Sequence, residues 1–226
     1  MNSSKRPRAL LALLLAGLLL SGCSSGGGGD GGAPANVPRF AFVASVGNNS
    51  VSSYVVDAAT GRLKYIGKVA AGSTPSSVSV DPSGKYAYAG NYSDNNVSQY
   101  TIGANGALTP MSTATVAAGT NPYSISVDPS GKYAYVANYG SNNVSQYTIR
   151  ADGALTPMSP ATVAAGTGPL SVSVDPSGRY AYAANNRSNS VSQYMIGADG
   201  ALTPMSTAAV AAGTESGSVV STGTWQ

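Results

Sequence analysis

Chemistry-bearing side chains are few in this 226-residue chain, and none of them is histidine. That absence excludes Ser-His-Asp and Cys-His nucleophile arrangements and histidine-based metal sites. The only glutamate is Glu215. Two other charges, Asp94 and Arg187, lie in Asn- and Tyr-rich stretches that otherwise carry none. As chemistry, a carboxylate at Asp94 or Glu215 would activate water, and Arg187 would hold a carboxylate or phosphate. Solvated loop charges are the simpler reading of all three, so the residue types favour binding over catalysis.

The more abundant polar material is amide and phenol. Asn48, Asn49, Asn91, Tyr92, Tyr123, Asn138, Tyr139, Asn185, Asn186 and Arg187 are the candidate ligand-binding residues. Asparagine offers paired donors and acceptors, and tyrosine adds a stacking face, an inventory that suits sugars or peptide backbone. The competing role for each asparagine is turn support or left-handed backbone geometry. The recurring Asp-Pro-Ser-Gly stretches are not calcium loops, because each brings one carboxylate where an oxygen cage needs several. No metal and no cofactor is expected.

The elements that position these residues come from an internal repeat. Asp81-Pro82-Ser83-Gly84 returns as Asp128-Pro129-Ser130-Gly131 and as Asp175-Pro176-Ser177-Gly178, each 47 residues on. The units starting at Asp81 and Asp128 share 37 of 47 positions. A more diverged copy begins at Arg39, where Phe40-Ala41-Phe42-Val43-Ala44 stands for Tyr133-Ala134-Tyr135-Val136-Ala137. Each unit divides into four short runs of period-2 alternation separated by turn residues. In the third unit these are Ser124–Val127, Lys132–Asn138, Val144–Ile149 and Leu155–Ala165. Pro and Gly at the second and fourth turn positions suit a type I turn, and Asp152-Gly153 reads as a hairpin. Four antiparallel strands per repeat predict an all-β fold, a β-propeller of four 47-residue, four-stranded blades over residues 39–226.

Tyr135-Val136-Ala137-Asn138-Tyr139, Asn142-Asn143-Val144-Ser145-Gln146-Tyr147 and Gly153-Ala154-Leu155-Thr156-Pro157 resemble the lactonase-like, YVTN-type propeller repeats. Similarity runs from residue 39 to about 214. It implies a larger ring, commonly of seven blades, and an activity resembling that of 6-phosphogluconolactonase. The enzymes of that kind are thought to use His, Arg and Glu at the channel mouth, and this chain departs from that set. The resemblance also implies that the chain starts on the second strand of its first blade. Ser216–Ser221 falls where a further innermost strand is due, so one expectation is a closed four-bladed ring in which this run completes the first blade. The other is an arc of a larger propeller, with an open edge and a capacity for self-association.

The N-terminus is read separately. Lys5, Arg6 and Arg8 precede an apolar run from Ala9 to Leu20, too short to span a bilayer and of signal-peptide length. The run ends at Leu20-Ser21-Gly22-Cys23, which resembles a bacterial lipobox, with Cys23 as the lipidation site. Residues 1–22 are thus expected to be a lipoprotein signal, and residues 23–38 a lipidated cysteine with a Gly/Ser-rich tether of roughly 20–24 Å reach. Ser24 and Ser25 favour the outer membrane by resemblance to enterobacterial sorting, or the outer face of the plasma membrane where no outer membrane exists. With the three signal cations removed, nine basic residues balance nine acidic ones, and the overall +3 disappears. Nucleic acid is therefore not an expected partner. As the only cysteine, Cys23 also rules out any intrachain disulfide.

Three functions follow as expectations. The first is a lipid-tethered scaffold binding a glycan, peptide or protein in the cell envelope. The second is a sugar-lactone hydrolase, and the third is a gene remnant without a function of its own.

Overall fold

The computed structural model describes residues 39–222. Cys23, its signal and its tether lie outside the described residues, as do the last four. The chain forms fifteen strands in four antiparallel sheets, each a meander in sequence order. The first sheet has three strands: β1 (Arg39–Ser45), β2 (Ser50–Val56) and β3 (Leu63–Ala70). The second holds β4 (Pro75–Val80), β5 (Tyr86–Asn91), β6 (Asn96–Ile102) and β7 (Leu108–Ala117). The third holds β8 (Pro122–Val127), β9 (Tyr133–Asn138), β10 (Asn143–Ile149) and β11 (Leu155–Ala164). The fourth holds β12 (Pro169–Val174), β13 (Tyr180–Asn185), β14 (Ser190–Ile196) and β15 (Leu202–Ala211). The first strands β4, β8 and β12 lie against one another, as inner strands of neighbouring propeller blades do.

Each turn between first and second strand is built by its aspartate. Gly131 N–H donates to the Asp128 carbonyl at 3.0 Å, closing the turn. The buried Asp128 carboxylate then accepts from the backbone N–H groups of Ser130 (3.0 Å), Lys132 (2.9 Å) and Tyr133 (2.8 Å). Asp81 and Asp175 do the same in their blades. These carboxylates are consumed by backbone donors, which is what a buried charge requires.

Blades are joined by a repeated clasp. The Tyr86 ring lies against Gly153 of the next blade, and Tyr133 lies against Gly200. A Cβ on Gly153 would fall 2.3 Å from the Tyr86 ring, and its φ of +83° also favours glycine. Two residues further along the strand, Tyr88 O–H donates to the Gly153 carbonyl at 2.7 Å, and Tyr135 O–H to that of Gly200 at 2.6 Å. Third-strand tyrosines reach back to the preceding blade: Tyr100 to the Ala70 carbonyl, Tyr147 to Ala117 and Tyr194 to Ala164, at 2.7–2.8 Å. A register shift between Ser145 and Tyr147 re-aims Gln146. Its Oε1 accepts from Leu202 N–H of the next blade at 2.6 Å, as Gln99 accepts from Leu155.

One expectation is corrected. Ser216–Ser221 does not complete the first blade, which stays three-stranded, and the four blades form an arc, not a closed ring. The segment instead lies beside the fourth blade's inner strand, where Val219 N–H donates to Ser171 Oγ at 3.3 Å. The same bond joins Ile125 to Ser77 and Val172 to Ser124, so the run continues the arc in the direction already set. The clasp fixes how far each blade turns from its neighbour, and three such steps leave β1 and this run apart.

Burial opposes the ionisation of the tyrosines that make these bonds. Tyr147 and Tyr194 are pushed up to about 12 by desolvation, and Tyr88, Tyr100 and Tyr135 are shifted in the same direction. A phenol whose folded value exceeds its unfolded one contributes stability that is complete below the unfolded value and lost above it. Alkaline titration followed by near-ultraviolet phenolate absorbance and circular dichroism should therefore show loss of β-structure between about pH 10 and pH 12. The core phenolates should appear only together with that loss.

Candidate functional site

One face of the arc is formed by two sets of loops. Residues 92–95, 139–142 and 186–189 join second to third strands, and residues 71–74, 118–121, 165–168 and 212–215 follow each blade. The short 3-10 turn Val46–Asn48 takes the first position on this face.

The asparagines in these loops prove to be mainly architectural. Asn49, Asn95, Asn142 and Asn189 adopt left-handed backbone with φ of 47–56°. Each side-chain oxygen accepts the N–H of a residue in the loop leaving its blade: Thr74, Asn121, Gly168 and Glu215, at 2.8–2.9 Å. Asn91, Asn138 and Asn185, proposed above as ligand contacts, are fully buried. Their Nδ2 groups donate within the blade, as Asn138 does to Asn143 Oδ1 and Ser145 Oγ at 2.8 Å. They hold the ends of the second strands through these donors, while their Oδ1 atoms are buried without a hydrogen-bond partner among the described residues. Asn48 is exposed at the tip of its turn, and Asn186 is half-buried.

The three charged candidates separate. Asp94 Oδ2 accepts Ser73 N–H at 2.7 Å. At the matching positions Ser141 Oγ accepts Thr120 N–H and Ser188 Oγ accepts Thr167 N–H, both at 3.0 Å. Asp94 thus does the work of a loop-clamping serine. Glu215 is exposed, with left-handed backbone held by Asn189. Arg187 projects from the loop next to that asparagine and lies 4.6 Å above the Tyr139 ring centroid.

Four predicted residues come together. Tyr92 meets Tyr123 edge to face, with centroids 6.2 Å apart, and Tyr123 meets Tyr139 at 6.5 Å. With Arg187 on the far side of Tyr139, a continuous ridge crosses blades two, three and four. Aromatic faces of this kind stack on the apolar faces of sugar rings, while a weakly hydrated guanidinium binds carbonyl, carboxylate or phosphate oxygen. Gly168 lies 3.0 Å, at its would-be Cβ, from both Tyr139 and Arg187, so the ridge is packed from below. A groove of about 350 Å³, lined by Lys85, Lys132 and Arg150, lies on the other face beside the Asp81 turn. Nothing in the sequence drew attention to it, because Lys85 lies one repeat away from Lys132 and Arg150.

Antiparallel four-stranded blades set side by side in an arc define the class: a partial β-propeller, here with a polar, aromatic loop face. The chain belongs to the family described as "Lactonase, 7-bladed beta-propeller", which it matches over residues 36–221. No curated protein sequence matches it. Among solved structures it is similar to the Pseudomonas aeruginosa periplasmic gluconolactonase PpgL, with 24% identity and a TM-score of 0.64. That match covers 75% of this chain and 53% of the other. A Bacteroides fragilis protein assigned provisionally as a 6-phosphogluconolactonase gives 25% identity and 0.65, covering 77% and 54%. A Bacteroides uniformis protein assigned in the same way gives 20% and 0.68, covering 79% and 53%. The chain spans about half the length of each of these structures.

Because serine serves at the equivalent position in two other blades, Asp94→Ser should leave stability unchanged to within about 0.5 kcal/mol. Asp94→Ala, which leaves Ser73 N–H without its acceptor, should cost about 1 kcal/mol more. Urea denaturation of the two variants checks both values.

Proposed function

We propose that this chain is an envelope-located, lactonase-like propeller that takes sugar lactones on the Tyr92–Tyr123–Tyr139–Arg187 ridge and opens them by hydrolysis. The observation that carries the reading is the ridge itself, in a chain of the lactonase family. Tyrosine rings would receive the apolar face of the sugar. Arg187 would draw charge onto the lactone carbonyl oxygen as water adds to the carbon. Glu215, exposed beyond the loop that carries Arg187, is the carboxylate left to accept the proton of that water, since Asp94 is engaged with Ser73. Water adds across the ester bond, the ring oxygen leaves as a hydroxyl, and an aldonate carboxylate remains beside Arg187.

A second reading is favoured by one observation. Arg187 is the only charged member of the ridge, so the same surface suits a binding module for neutral glycans. Turnover of gluconolactone, followed by acid release, separates the two. Hydrolysis is expected to fall at least about 100-fold in Glu215→Gln with binding retained. Arg187→Ala is expected to weaken binding by about 10-fold. Saturable lactone or glycan binding without any turnover would leave the binding-module reading in place.

The lipobox-like tetrad supports lipid attachment at Cys23, and a periplasmic location is part of the description of the similar Pseudomonas protein. Metabolic labelling with a palmitate analogue should mark the chain in bacterial membranes. Cys23→Ser should abolish the label and release the protein into the soluble fraction.

A further inference from the structure

We propose that two copies of this chain close into one eight-bladed ring, the Ser216–Ser221 run of each copy serving as the inner strand of the partner's first blade. Independently of any ligand, the two ends of the arc carry the two halves of the junction that repeats inside it.

Within the arc the junction has fixed parts. A second-strand aromatic covers a hairpin glycine of the next blade, at all three junctions: Phe40 on Gly106, Tyr86 on Gly153 and Tyr133 on Gly200. A glutamine of one blade accepts the N–H of the leucine that opens the next blade's fourth strand. The inner strand of the following blade accompanies these contacts.

The free face of the first blade has the receiving half. Gly61 holds the left-handed φ of +71° of the other hairpin glycines, yet nothing among the described residues lies within 4 Å of its would-be Cβ. Leu63, which opens β3, is 49% exposed, where Leu155 and Leu202 are 6% exposed. Strand β1 is half-buried from Phe40 to Ser45, where the matching residues of β9 are fully buried from Ala134 to Asn138. The surface missing over β1 is that of an inner strand.

The free face of the fourth blade has the giving half. Tyr182 is half-buried, whereas Tyr88 and Tyr135 are fully buried against the following blade. Gln193 is half-buried where Gln99 and Gln146 are buried. The inner strand for a further blade is already seated here, through Val219 on Ser171 and Glu215 on Asn189. The register follows from the repeat. Ser171 pairs with Ala184 and Val172 with Ala183, which places Ser218 opposite Ala44 and Val219 opposite Val43 of the other copy.

Curvature separates closure by one copy from closure by two. A seven-bladed ring turns about 51° per blade and an eight-bladed one about 45°, both within the usual range for propellers. Two arcs with the seven-blade curvature of the family would close with a change of roughly 6° per junction, whereas one copy closing on itself would need about 90° per blade. Two-fold closure also pairs both ends of the described arc, which an unclosed head-to-tail series does not.

The test is the mass and crosslinking of the purified full chain in mild detergent. Sedimentation should give twice the chain mass. Leu63→Lys, at a position exposed in a single copy, should weaken the dimer at least about 10-fold while leaving the circular dichroism spectrum unchanged. In a mixture of light and heavy-isotope chains carrying Ala44→Cys and Ser218→Cys, oxidation should join peptides from these two positions, with light–heavy pairs among the products. A monomer, joined peptides from one chain only, or an open ladder of larger assemblies would each overturn the proposal.

Discussion

The contact on which the rest of this structure depends is an aromatic ring pressed onto a glycine across each blade junction. A four-stranded sheet of this size buries its faces only by stacking against neighbours. Here the stacking is specified by shape: Tyr86 and Tyr133 occupy the space where a Cβ of Gly153 or Gly200 would be. The tyrosines two residues further along the strand then donate to the carbonyls of those same glycines. A single residue type thus sets both the distance and the rotation between blades. Where one partner differs, the junction loosens by a definable amount. Phe42 takes the place of Tyr88 and has no hydroxyl, and Ser53 takes the place of Gln99. Leu108 is correspondingly less buried than Leu155 and Leu202.

Rigidity at the junctions passes to the loop face through the left-handed asparagines. Each ties a loop within one blade to the loop leaving that blade toward the next, so side chains on different blades keep fixed separations. This is how Tyr92, Tyr123, Tyr139 and Arg187 hold one ridge although they come from three sheets. Buried asparagines behind them, Asn91, Asn138 and Asn185, secure the strand ends from which those loops start.

The repeat, its strand boundaries and the turn chemistry were legible in the sequence because they are local and periodic. The third repeat's four strands begin and end within two residues of the expected runs. The tyrosines and Arg187 of the ridge were also legible as types, since aromatic and charged side chains in such loops are uncommon. The role of each asparagine was not. Asn138 ends β9 and Asn142 ends the loop that follows, and burial of the first and backbone geometry of the second arise only once the blade is folded. The structural part played by Asp94 was hidden for a related reason. A carboxylate in a loop suggests chemistry, but its equivalence to Ser141 and Ser188 appears only from the bonds they make. Closure was illegible because it depends on the turn per blade, a global angle that no short stretch of sequence encodes.

The comparison among repeats says where function is concentrated. Positions that build the frame are the same from blade to blade: the turn aspartates, the clasp glycines and the left-handed asparagines. The ridge positions are not. Tyr92 and Tyr139 correspond to Val46 and Asn186, Tyr123 corresponds to Ser76 and Leu170, and Arg187 corresponds to Gly47, Ser93 and Gly140. Residues of the clasps recur at most junctions, with Phe42 and Ser53 as exceptions, whereas the ridge side chains change from blade to blade on one face while the frame beneath them is largely kept. The ridge side chains form an asymmetric surface on a quasi-symmetric support.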